Sequence, residues 1–87
     1  MTRDEIIAQL QPIFDELFMD PVVLTPELTA NDVEEWTSLL QISISLAVEQ
    51  HFGIRFRVGE VEATGSVGEF ADLIARSVAG TRRVPGK

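Results

Sequence analysis

A single all-α domain is the fold class that this sequence predicts. Three observations carry the prediction. Apolar residues recur at helical spacing in three segments, two of those segments open on capping-box spacings, and no stretch alternates apolar and polar residues over strand length. At 87 residues there is material for one hydrophobic core and no second. Apolar residues make up 45% of the chain, enough to fill that core.

The first helix is expected from Arg3 to about Phe18, opened by Thr2 and Glu5 at capping-box spacing. At about 100° per residue, Ile6, Ile7, Leu10, Ile13, Phe14, Leu17 and Phe18 fall on one arc. Gln9, Gln11, Asp15 and Glu16 lie opposite. Pro12 sits on the polar side, where losing one backbone hydrogen bond bends a helix rather than ending it.

From Met19 to Thr37 the periodicity stops, and Pro21, Pro26, Asn31 and Asp32 mark a long loop with a short turn or two. Val23, Leu24, Leu28 and Val33 are expected to pin it to the core. A second helix follows from Ser38 to Phe52, with Gly53 as its C-terminal cap. It carries two apolar stripes: Leu39, Ile42 and Leu46 on one side, Leu40, Ile44, Ala47 and Val48 on the other. A helix with two stripes is sandwiched, here between the core and either the long loop or a partner protein.

Residues 54–65 read as irregular, with room for one helical turn around Glu60–Thr64. Ser66 and Glu69 form the second capping box and open a last helix reaching about Val78, with Val67, Phe70, Ala71, Leu73, Ile74 and Val78 inward. Residues 1–79 are therefore the helical domain. Residues 80–87, basic and rich in Gly and Pro, are expected to be a disordered tail.

Charge and composition exclude much. The net charge is −7, and all 14 acidic residues lie between Asp4 and Asp72 with only Arg55 and Arg57 among them. Such a surface repels nucleic acid and anionic membrane; it favours a basic protein partner, or, as the commoner explanation, serves only solubility. No apolar run exceeds three residues, so neither a membrane span nor a secretory core is present. The absence of Cys fits a reducing, cytoplasmic setting.

An enzyme is not expected. His51 is the only histidine and there is no Tyr. Ser38 and His51 are about 20 Å apart along one helix, too far for a dyad. One His and scattered acids match no metal-ligand spacing.

The informative stretch is Glu34-Glu35-Trp36-Thr37-Ser38-Leu39-Leu40, which places a serine at a helix start directly after a long loop. Its side-chain oxygen suits two roles there. It can cap exposed backbone N–H groups, the commoner role for such a residue, or carry an anion that those groups and the helix dipole stabilise.

Trp36-Thr37-Ser38-Leu39 resembles the Asp-Ser-Leu motif of the phosphopantetheine-binding acyl carrier proteins, in the version preceded by Trp. Glu49-Gln50-His51-Phe52-Gly53-Ile54 resembles the Glu-x-x-Phe-Gly-Ile that closes that family's second helix, and Ser66-Val67-Gly68-Glu69 the opening of its last. Each piece is short; their order and spacing over residues 3–78 make the match specific. The resemblance implies a four-helix bundle with a long first loop and a short third helix. It also implies 4′-phosphopantetheine, taken from coenzyme A by a phosphopantetheinyl transferase and held on Ser38 as a phosphodiester. Acyl groups would ride its thiol as thioesters between acyl-loading and acyl-transferring enzymes, as in lipid or secondary-metabolite biosynthesis. The carrier would be a non-catalytic monomer.

This chain departs from the family pattern at two places. Thr37 replaces the aspartate that helps the modifying transferase near its magnesium ion; Glu34 or Glu35 could supply charge nearby, leaving Thr37 as a helix cap. The second helix, acidic in the family, keeps only Glu49. The expected docking set is Trp36, Thr37, Leu39, Leu40, Ile42, Ser43, Leu46 and Glu49, more apolar than usual, which implies dedicated partner enzymes. The alternative is an unmodified adaptor or scaffold with the same fold.

Overall fold

The computed structural model describes residues 2–57 and 59–82, the last two by their backbone alone. Helix α1 spans Arg3–Leu17. Thr2 Oγ1 accepts the Glu5 N–H while the Thr2 N–H donates to Glu5 Oε1 at 2.8 Å, so both halves of the expected box are made. The helix runs unbroken through Pro12, which is exposed. Ile6, Leu10, Phe14 and Phe18, each four residues apart, form its buried column.

The loop after α1 is tied down differently from the expectation. Val22 and Leu24 are buried, whereas Val23 is 76% exposed. Side chains alternate sides here, so only every second residue faces inward. Leu28 and Val33 pack against the core as expected. Gln11, read as a polar-face residue, holds the segment: its Nε2 donates to the Val22 carbonyl at 2.7 Å and its Oε1 accepts the Leu24 N–H at 3.1 Å. A short 3-10 turn at Ala30–Asp32 follows, closed by the Thr29 N–H on the Asp32 carboxylate.

Helix α2 spans Ser38–Phe52 and ends on Gly53, whose φ of 68° is the left-handed conformation that favours glycine. Helix α3 spans Val67–Arg82. Its first N–H groups are taken up by the long loop, Val67 donating to the Leu28 carbonyl and Gly68 to that of Pro26. Ser66 Oγ accepts the Glu69 N–H, but the Glu69 carboxylate accepts from Gly65 rather than Ser66, so the second box is only half formed. Helix α3 continues past Val78 and takes in 80–82 of the expected tail; residues 83–87 lie outside the described residues.

The all-α expectation is met, but the fourth, short helix is not seen: the described residues hold three α-helices, the 3-10 turn and no strand. Around Glu60–Thr64 the chain makes turns only. Ala63 donates to the Gly59 carbonyl in a single helical bond, but Thr64 donates back only three residues, to Val61. The Thr64 hydroxyl also donates to that carbonyl, at 2.6 Å, which closes the turn before a second helical bond forms.

Helix α1 packs against both α2 and α3. Phe14 and Ile6 from α1, Ile44 and Val48 from α2, and Val67 and Ile74 from α3 are fully buried in one cluster. At about 25 cal/mol per Å² of apolar surface removed from water, side chains of this size contribute roughly 1.5–3 kcal/mol each. Arg3 forks onto Asp72 and fastens the start of α1 to α3.

Candidate functional site

Ser38 is the first residue of α2 rather than its cap. Thr37, extended at φ −94° and ψ 173°, holds the cap position, and its Oγ1 accepts the Leu40 N–H at 3.3 Å. The capping role that suited Ser38 on sequence therefore belongs to its neighbour. Ser38 is exposed and its hydroxyl has no hydrogen-bond partner among the described residues. A primary alcohol is thus presented to solvent at the positive end of a four-turn helix, where a bound phosphate is favoured.

The approach to Ser38 is held rigid from below. Trp36 is half-buried and stands edge-on to Phe14, ring centroids 5.1 Å apart, and to Phe18. Its indole N–H donates to Gln41 Oε1 at 2.7 Å, and Gln41 Nε2 donates on to Ser45 Oγ. Glu35 is also committed: its carboxylate accepts the N–H of Met19 at 2.8 Å and, more weakly, that of Asp20. Of the two acids expected to compensate for Thr37, only Glu34 is exposed and without a side-chain partner among the described residues.

Leu39, Ile42 and Leu46 lie on the Ser38 side of α2 and are 75%, 58% and 55% exposed. The opposite stripe, Ile44 and Val48 with Leu40 partly buried, is the one that enters the core. Ser43 is half-buried beside the exposed stripe. Glu49 is partly buried, and its Oε2 accepts the Phe56 N–H at 2.8 Å, fixing the chain after α2. Of the eight residues expected to dock, the structure brings Leu39, Ile42, Ser43 and Leu46 to one face beside Ser38. It turns Trp36 towards the aromatic cluster.

Beside Ser38 opens a cleft of about 720 Å³ between α2 and residues 56–57 and 59–66. Ile42 and Leu46 form one wall, and Phe56, Val61 and Phe70 another. Sequence reasoning placed Phe70 inward but missed Phe56 and Val61, because residues 54–65 have no helical period. The available signal was the pair Ile54 and Phe56, spaced two apart and alternating with Arg55 and Arg57. His51, exposed as expected, has its Nε2 2.9 Å from Gln9 Oε1 and links α2 to α1. No three His, Asp or Glu side chains among the described residues are grouped to hold a metal. No described helix is long and apolar enough to cross a membrane.

No protein-family model matches the chain. It is 30% identical over 78 residues to an acyl carrier protein of Acidothermus cellulolyticus, covering 88% of this chain and 93% of that one. Its fold matches the solution structure of a holo acyl carrier protein from Geobacter metallireducens with a TM-score of 0.83, at 34% identity, over 94% of this chain and 95% of that one. With an all-helical architecture, likeness over nearly its whole length to both proteins, and a free serine hydroxyl opening α2, the chain belongs to the acyl carrier protein family.

Proposed function

We propose that the chain is a specialised acyl carrier in which Ser38 bears 4′-phosphopantetheine as a phosphodiester. The observation that carries this reading is the Ser38 hydroxyl, exposed and without a partner at the first position of α2 because Thr37 caps the helix in its place. The fit of the group rests on three features of this chain. The oxygen is reachable, the first-turn N–H groups and helix dipole lie beside the phosphate it would carry, and no described side chain occupies it. Once attached, the group supplies a thiol that holds acyl cargo as a thioester. The protein's own residues hold the attachment point, shield it on the cleft side and present it to enzymes.

Leu39, Ile42 and Leu46 are the docking contacts, with Ser43 and the rim of Leu40 and Glu49 beside them. An apolar face of this kind fits dedicated partners rather than a range of enzymes sharing one acidic recognition helix. Glu34 is the acid placed to assist the transferase in place of an aspartate at 37. The carrier works as a cytoplasmic monomer, with its helical domain extending to the end of α3 at residue 82.

Intact mass spectrometry after incubation with coenzyme A and a broad-specificity phosphopantetheinyl transferase tests the assignment. The expected result is a gain of one phosphopantetheine by the wild type and none by Ser38→Ala. No gain by a folded wild type, or a gain that survives Ser38→Ala, overturns it; the first of these favours the unmodified adaptor.

A further inference from the structure

We propose that Arg55, Arg57 and Arg76 form a binding site for a compact, multiply charged phosphate group. The site is separate from Ser38 and does not rest on the carrier reading. Burial alternates along the segment that leaves α2: Ile54 is buried, Phe56 is half-buried with its ring 5.8 Å from that of Phe70, and Arg55 and Arg57 are exposed. The two apolar residues anchor the segment to the core, so both arginines emerge on its outer side. Arg76 comes from α3, where Leu73 and Gly80 share its face at helical spacing. All three arginines line one concavity of about 420 Å³.

Its positive charge is only partly compensated. Arg3 with Asp72 is the one ion pair among the described residues, so none of the three guanidinium groups has a carboxylate partner there. Among the described residues, Glu60 is the only acid lining the concavity, and its Oε1 accepts the Arg57 backbone N–H at 2.6 Å. Asp72, one turn before Arg76, is hydrogen-bonded to Arg3 and feels the charge of Arg76 only as a smaller, longer-range attraction. Three planar, permanently charged forks around a hollow suit the several oxygens of a phosphate group better than a single point charge.

The rest of the molecule selects the size of the anion. With 14 acids between Asp4 and Asp72, an extended polyanion such as nucleic acid, an anionic membrane or an acidic protein face meets repulsion beyond the patch. A compact group stays within about one Debye length of the arginines and avoids it.

The test is a titration of the ¹⁵N-labelled full chain with inorganic pyrophosphate and with adenosine diphosphate, at ionic strength fixed with sodium chloride. Shifts are expected at the amides of Arg55, Arg57, Leu73, Arg76 and Gly80. Equal affinity for the two anions assigns the site to a free anion, and tighter binding of the nucleotide assigns it to a small phosphate ester. Arg55→Gln, Arg57→Gln and Arg76→Gln should each weaken binding about fivefold, and Ser38→Ala should leave it unchanged. All three arginines are exposed, so the variants keep the fold. Absence of these shifts at millimolar anion, shifts indifferent to the three substitutions, or binding of an acidic peptide but of neither anion overturns the proposal.

Discussion

Thr37 Oγ1 accepts the backbone N–H of Leu40 at 3.3 Å, and this single bond leaves the adjacent Ser38 hydroxyl free. Thr37→Val removes the acceptor without changing side-chain shape and should cost about 1 kcal/mol in urea denaturation. Thr37→Asp keeps an acceptor and adds a charge that the helix dipole favours, so it should unfold at an equal or higher urea concentration. On the carrier reading it should also load faster, followed as the rate of mass gain. A Thr37→Val variant as stable as the wild type would show that the cap contributes nothing.

Gly68 is where α3 meets both the long loop and α1. A Cβ there would lie 2.9 Å from the Pro26 carbonyl oxygen and 3.1 Å from Arg3 Nη1. The arginine can move; the carbonyl is held, because it accepts the Gly68 N–H itself. Alanine normally stabilises a helix interior by about 1 kcal/mol over glycine. Here the clash should reverse the sign, leaving Gly68→Ala roughly 1–3 kcal/mol less stable. A gain in melting temperature would mean that the loop yields.

Local rules explain what was legible in the sequence. The helix boundaries at Arg3 and Ser38, the Thr2–Glu5 box and the Gly53 cap depend on neighbours a few positions away, and the structure has them as expected. What could not be read depends on distant partners. Gln11 looks like any polar-face residue until the Val22 carbonyl and the Leu24 N–H are brought to it. Glu35 looks like a spare acid beside Ser38 until the Met19 N–H claims it. Choosing between the two stripes of α2 required knowing which side α1 covers. Ile44 and Val48 face it, and that choice leaves Leu39, Ile42 and Leu46 outside.

Acid should loosen the junction between α1 and α3. The hydrogen bonds and charge of Arg3, with a smaller contribution from Arg76, hold the Asp72 carboxyl below its ordinary range; the Thr2 backbone N–H does the same for Glu5. A carboxyl lowered on folding binds fewer protons in the native state than in the unfolded one. Its stabilisation is therefore present above the ordinary carboxylate range and is lost as pH falls below about 4. Asp72→Asn should unfold at lower urea than the wild type at pH 7, with the gap closing by about pH 2–3. The pair is half-exposed, so the gap should be small and should narrow in high salt. A gap equal at both pH values would assign the loss to packing instead.

The exposed stripe of α2 offers a cleaner test of docking than its neighbour Leu40. Leu40 packs partly against the core, so Leu40→Asp buries a charge and should cost about 1–3 kcal/mol of stability before any partner is met. Ile42 and Leu46 are more than half exposed. Ile42→Asp or Leu46→Asp should therefore stay within about 0.5 kcal/mol of the wild type in urea denaturation. If these side chains meet a partner's apolar surface, either change should raise KM for the enzyme that acylates the carrier by about tenfold, because a desolvated carboxylate replaces a hydrophobic contact. Loading of Ser38 by a broad-specificity transferase should be less affected, which separates loss of a dedicated contact from damage to the carrier. Unchanged KM in both variants would move the docking surface away from this stripe and leave Leu39, Ile42 and Leu46 as ordinary surface residues.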